Sequence, residues 1–116
     1  MNDAKHFSAE GGEPFVWRDD PTTMLTRCLD ETSSKSIGCG YLRLEPTKTE
    51  SAIDFDELII VLSGDFRSTC RGRTFNCKPG DMLWIPANNT FTLESETGAL
   101  LVYVKYPAAT VPPPSS

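Results

Sequence analysis

Residues 76–91 read NCKPGDMLWIPANNTF, and their reading decides the architecture. Lys78-Pro79-Gly80-Asp81 puts proline second and glycine third in a four-residue turn. That is the type II arrangement, whose third residue takes a positive φ that glycine tolerates best. Met82 to Ile85 then reads as a short strand. Pro86 ends it, because proline cannot donate to a strand ladder. Asn88-Asn89 marks another turn, and Phe91 to Glu94 reads as the next strand.

Working outward, the same grammar repeats. Asp56 to Leu62 is a strongly apolar strand stopped by Ser63-Gly64-Asp65. Phe66 to Cys70 and Arg73 to Cys77 form a hairpin around Arg71-Gly72, with Cys70 facing Arg73 and Cys77 facing Phe66. Gly40 to Glu45 alternates, with Tyr41, Arg43 and Glu45 on one face and Leu42 and Leu44 on the other. Ala99 to Tyr106 is the last strand, closed by Pro107. Residues 21–31, PTTMLTRCLDE, show some helical periodicity, but their threonine content fits a strand equally well. Many short strands at regular spacing predict an all-β sandwich or barrel, and a closed barrel leaves no edge strand exposed.

The chain has 116 residues and a formal net charge of −5. That length suits one domain and is too short for two. We expect an arm at residues 1–12, a barrel domain at 13–108 and a disordered Pro/Ser-rich tail at 109–116. No basic cluster exceeds the Arg71/Arg73 pair, which argues against nucleic acid as a partner. The longest strictly apolar run, Leu58 to Leu62, is far short of the roughly 20 residues of a membrane helix. The first residues carry no apolar signal segment, so a cytoplasmic location is expected. Cys28, Cys39, Cys70 and Cys77 form no CxxC pair, and we read them as reduced, small apolar residues.

Two stretches resemble the cupins, small jelly-roll or double-stranded β-helix barrels. In DELIIVLSG, Glu57 precedes Gly64 by seven positions, the spacing of the first cupin motif. Gly72 followed by KPGDMLWIPANNTF resembles the second motif, which usually closes on histidine where this chain has Phe91. Within the cupins, three segments are similar to the EutQ family of ethanolamine utilisation. They are GCGYLRLE, IDFDELIIVLSG and the closing LVYVKYPA. The resemblance covers about residues 38 to 107 and implies a single-domain cupin.

A typical cupin holds its metal with a His-x-His pair, a glutamate and a later histidine. Carried across, these positions are Ser51 and Ile53, Glu57, and Phe91. The chain's one histidine is His6, in the polar arm. Sites for iron, nickel or zinc need several nitrogen or sulfur donors, so no transition-metal centre is expected. A carboxylate site for Mg²⁺ stays open, because hard cations accept oxygen ligands and substrate phosphate.

If the Tyr41/Arg43/Glu45 face lines the lumen, it joins Glu57 in one small polar cavity. Two neighbouring glutamates there would suit acid–base work, and Arg43 would hold an anion. The alternative is a solvated face outside the barrel. Ser51, Lys105, Trp84 and Phe91 complete the expected ligand-binding set, with Trp84 and Phe91 as pocket wall or core. Lys105 would bind phosphate or carboxylate, or extend to solvent along an edge. Asp54 and Asp56 are expected at the solvated rim.

No Gly-x-Ser-x-Gly elbow and no Walker-type loop are present. Three readings therefore remain. The first is an anion-binding cupin, with acetate-kinase-like phosphoryl transfer, ATP and Mg²⁺ as the resemblance implies. The second is a non-catalytic sensing or assembly module. The third is an isomerase or lyase working with carboxylates and Tyr41. A homodimer is expected, through the outer Leu58/Ile60/Leu62 face or through Phe15 and Trp17 docking on a partner barrel.

Overall fold

The computed structural model describes residues 3–17 and 20–108. The described residues form strands and no helix: β1 Phe15–Trp17, β2 Asp20–Leu29, β3 Gly38–Leu44, β4 Thr47–Ile53, β5 Asp56–Gly64, β6 Phe66–Cys70, β7 Arg73–Cys77, β8 Met82–Ile85, β9 Asn89–Ser95 and β10 Ala99–Tyr106. They pair antiparallel in a six-stranded sheet, β1-β2-β3-β10-β5-β8, and a four-stranded sheet, β4-β9-β6-β7. The expected tail at 109–116 lies outside the described residues, and residues 3–14 carry no strand.

The core lies between the sheets because each strand alternates. From the larger sheet, Leu25, Leu42, Leu44, Ile59, Val61, Leu83, Ile85 and Leu101 point inward. Ile53, Phe66, Phe91 and Leu93 meet them from the smaller sheet. Burial of these faces on water's exclusion is the main force closing the two layers.

Several local expectations hold. The Lys78–Asp81 turn closes with the Asp81 amide donating to the Lys78 carbonyl at 2.8 Å, and Gly80 has φ 94°. The β6–β7 register sets Cys70 opposite Arg73 and Phe66 opposite Cys77. All four cysteines are free and half-buried. Residues 21–31 resolve in favour of strand, since they supply most of β2, a near-central element whose ladder with β3 satisfies its backbone.

Two placements correct the sequence reading. First, β3 is inverted relative to the expected lumen face. Leu42 and Leu44 are buried, Tyr41 is half-buried, and Arg43 and Glu45 are exposed on the outer face. Alternation defines two faces without saying which is inside, and two leucines against a second apolar sheet outweigh two charges. Second, Trp84 is 62% exposed. Leu83 and Ile85 take the inward positions of β8, so Trp84 and Met82 point out. Phe15 and Trp17 pair their strand with β2 of the same chain, and Trp17 packs against the core; whether they also meet a partner barrel is a matter for the oligomeric state.

Candidate functional site

One end of the barrel holds a cavity of about 190 Å³. Its floor and walls are Leu25, Leu42, Ile53, Phe91 and Leu93, with Ser51 among them. Ser51 lies directly opposite Phe91 in the β4–β9 ladder, and both are at most 3% exposed. Trp17 and Phe55 line it as well, and the polar groups are Arg27, Glu57, Tyr103 and Lys105.

Register explains how these polar groups meet. Lys105 on β10 lies directly opposite Glu57 on β5, and Tyr103 lies opposite Ile59 one pleat further in. On the other side of β10, Lys105 faces Gly38 and Tyr103 faces Gly40. Arg27 on β2 faces Gly40 in turn. The two glycines leave the room that these side chains fill. A Cβ on Gly40 would stand 2.8 Å from the Tyr103 hydroxyl and 2.2 Å from the Thr26 carbonyl oxygen. A Cβ on Gly38 would stand 2.9 Å from the Lys105 Cε. Register thus sets Arg27 and Tyr103 on either side of Gly40, close enough for the Arg27 charge to act on the Tyr103 phenol.

Aromatic rings seat both cations. Lys105 Nζ sits 4.9 Å from the Phe55 ring centroid, and the Arg27 guanidinium carbon sits 5.2 Å from that of Phe15. Burial pushes the Tyr103 phenol up to about 12, against the opposing pull of the Arg27 charge. Asp30 is held below its ordinary value first by the Thr32 hydroxyl and amide, with the Arg27 and Lys105 charges adding to it. Glu57 is only 8% exposed and is itself engaged by a neighbour.

Of the residues expected at the site, Ser51, Glu57, Phe91 and Lys105 line the cavity. Tyr41, Arg43, Glu45 and Trp84 do not. Arg43 instead donates to the Ala9 carbonyl at 3.2 Å, tying the N-terminal segment to the outer face. Glu45 is separated from Glu57 by more than a face. It follows Leu44, which pairs with Ala99 at one end of β10, whereas Glu57 pairs with Lys105 near the other. Six residues of strand put roughly 20 Å between those ends. No shared two-carboxylate hollow exists.

Sequence reasoning missed Arg27, Tyr103, Trp17 and Phe55. For Arg27 the signal was its phase with Thr23 and Leu25, once residues 21–31 are taken as strand. For Tyr103 it was the face shared with Leu101 and Lys105.

The positions matching a cupin metal set, Ser51, Ile53, Glu57 and Phe91, do converge on this cavity. Their donors are one hydroxyl and one carboxylate beside two hydrocarbons, a set that does not fit a transition metal. Among the described residues no three His, Cys, Asp or Glu side chains converge as a metal cluster.

Comparisons with known proteins agree with this architecture. The acetate kinase EutQ of Salmonella typhimurium is 26% identical over 84 residues, 72% of this chain and 37% of that protein. The chain thus spans well under half of that relative's length. A crystal structure of a putative ethanolamine utilization protein Q from Salmonella typhimurium superposes with a TM-score of 0.71 at 25% identity, covering 75% of this chain and 71% of the other. The polyketide cyclase RemF of Streptomyces resistomycificus shares the fold, with a TM-score of 0.80 at 17% identity over 96% of this chain and 83% of its own. The family model described as "Ethanolamine utilisation protein EutQ" matches residues 5–111. The absence of the metal-binding histidines leaves the fold intact, and over nearly its whole length this chain belongs to the EutQ family.

Proposed function

We propose that the cavity binds a small organic anion, its charged group between Arg27 and Lys105 and its carbon skeleton against Leu42, Phe91 and Leu93. One observation carries this reading. In a chain of net charge −5, the cavity lining holds two cations against one carboxylate. Lys105 is half-buried against Phe55, whereas Arg27 is exposed, so the partly desolvated Lys105 attracts an anion more strongly than it would in water. At about 190 Å³, the space lies below the roughly 300–1,000 Å³ of drug-sized ligand sites. It suits a metabolite of a few carbons.

Calorimetric titration with short carboxylates tests the reading. Binding should weaken about 10- to 100-fold in K105M and in R27M, the usual loss when a charge-assisted hydrogen bond goes. Equal affinity in parent and both variants would refute it.

A second reading is favoured by the acetate kinase relative: phosphoryl transfer to the bound carboxylate. When bound, ATP would supply the phosphoryl group and Mg²⁺ its charge neutralisation. Glu57 and the substrate phosphates are the available oxygen ligands, and the cavity is too small to enclose a nucleotide. Acyl phosphate formed from acetate and ATP, stopping without Mg²⁺ and in E57Q, would support this reading. Tight carboxylate binding without any acyl phosphate would leave a binding or sensing module.

A further inference from the structure

We propose a further activity for this cavity: general-base proton abstraction next to the carbonyl of a short 2-oxo acid. The inference rests on the anion-binding reading above and adds a reaction to it. Four groups with complementary chemistry occupy two neighbouring rows of one sheet. Glu57 and Lys105 form the outer row, opposite each other on β5 and β10. Arg27 and Tyr103 form the next row, aligned on either side of Gly40, with Tyr103 buried and Arg27 exposed. All four line one small cavity whose remaining walls are largely hydrocarbon.

Such a block contains every part an enolisation needs. Glu57 is the carboxylate base, and Lys105 across the ladder places a positive charge beside it. The Tyr103 hydroxyl lines the cavity beside Arg27, aligned with it across Gly40, and would donate its proton to a substrate oxygen. Arg27 has N–H donors for the substrate carboxylate. Preorganised donors within apolar walls stabilise a developing oxyanion more than water does.

The step balances without an oxidant or cofactor. The C3–H bond breaks and its proton passes to Glu57. The electron pair becomes the C2=C3 bond, and the former carbonyl electrons rest on the C2 oxygen. That oxyanion is held by Tyr103 and Lys105. Return of a proton from Glu57 to C3 regenerates the 2-oxo acid. A simple carboxylate such as acetate lacks the carbonyl that would take up this charge, so the 2-oxo acids are the substrate class.

The test follows the C3 protons of 2-oxobutyrate by proton NMR in D₂O, with binding measured separately by thermal shift. The parent should exchange those protons at least about tenfold faster than buffer, at the low end of general acid–base contributions. E57Q should fall to the buffer rate while keeping its ligand-induced thermal shift. Y103F should lower the maximal rate with little change in the concentration for half-saturation. If E57Q does not fold, E57D takes its place and should exchange more slowly than the parent. Binding without exchange, or exchange at the parent rate in a folded Glu57 variant, overturns this inference and leaves anion binding standing. Absence of any 2-oxobutyrate binding overturns both.

Discussion

Gly40 has no side chain because Tyr103 and the β2 backbone occupy the space one would fill. Alanine there would place its Cβ 2.2 Å from a carbonyl oxygen, which side-chain adjustment cannot relieve. G40A should therefore lose about 1–3 kcal/mol in urea unfolding, the range for overpacking, and should also lose ligand binding; parent-like stability would mean that the β2–β3 spacing is looser than described. Asp65 is a second single-residue node. Its carboxylate accepts from the Glu96 and Thr97 amides, each at 2.8 Å, and from the Ser95 and Thr97 hydroxyls. These bonds hold it well below the usual carboxylate range, led by the Glu96 amide. A depressed folded value stabilises the protein above the unfolded carboxylate value of about 3.9. That stability disappears as pH falls below it. D65N should lower the unfolding free energy near neutrality by about 1 kcal/mol, discounted for solvent exposure, and should flatten its decline on acidification. An unchanged acid profile would assign that decline to other groups. Glu57, Ser51, Phe91 and Lys105 were legible from motif position and strand phase alone. Arg27 was not, because its segment read as helix or strand until the β2–β3 ladder fixed it.

Among the elements, β3 shows what alternation can and cannot tell. The sequence places Leu42 and Leu44 on one face and Tyr41, Arg43 and Glu45 on the other, and the structure keeps that division. Which face is inside depends on the neighbours. Gly38 and Gly40 share the leucine face, where Tyr103 and Lys105 of β10 need room, so the glycines were the overlooked clue. The correction predicts unequal substitutions. L42A should cost about 2–5 kcal/mol, as for truncation in a packed core. R43A removes one surface bond to Ala9 and should stay within about 0.5–1 kcal/mol, without weakening carboxylate binding. The opposite ranking would restore the expected lumen face. Strands β6, β7, β8 and β10 were readable with their bounds, since turn residues punctuate them. β1 and β4 were not, because TKTESAI and FVW carry little apolar alternation, and their conformation comes from pairing with β9 and β2.

For the whole molecule, the two sheets leave one apolar corner uncovered. Leu62, Met82 and Trp84 are 44%, 65% and 62% exposed, on the face where Leu58 and Ile60 are half-buried. The homodimer expected from the sequence would find its apolar surface there. Light scattering at micromolar concentration should give twice the 12.8 kDa chain mass for the parent and the single mass for W84E. A monomeric parent removes that expectation. Among the described residues no helix is long and apolar enough to cross a membrane. The reading proposed for the whole molecule is that the cavity lined by Arg27 and Lys105 binds a small organic anion. Backbone amide shifts of ¹⁵N-labelled protein titrated with a short carboxylate test it most directly. Shifts centred on Arg27, Glu57, Phe91, Tyr103 and Lys105 are predicted. Shifts confined to the outer groove beside Arg43 and Glu45, or none at saturating ligand, would contradict the account.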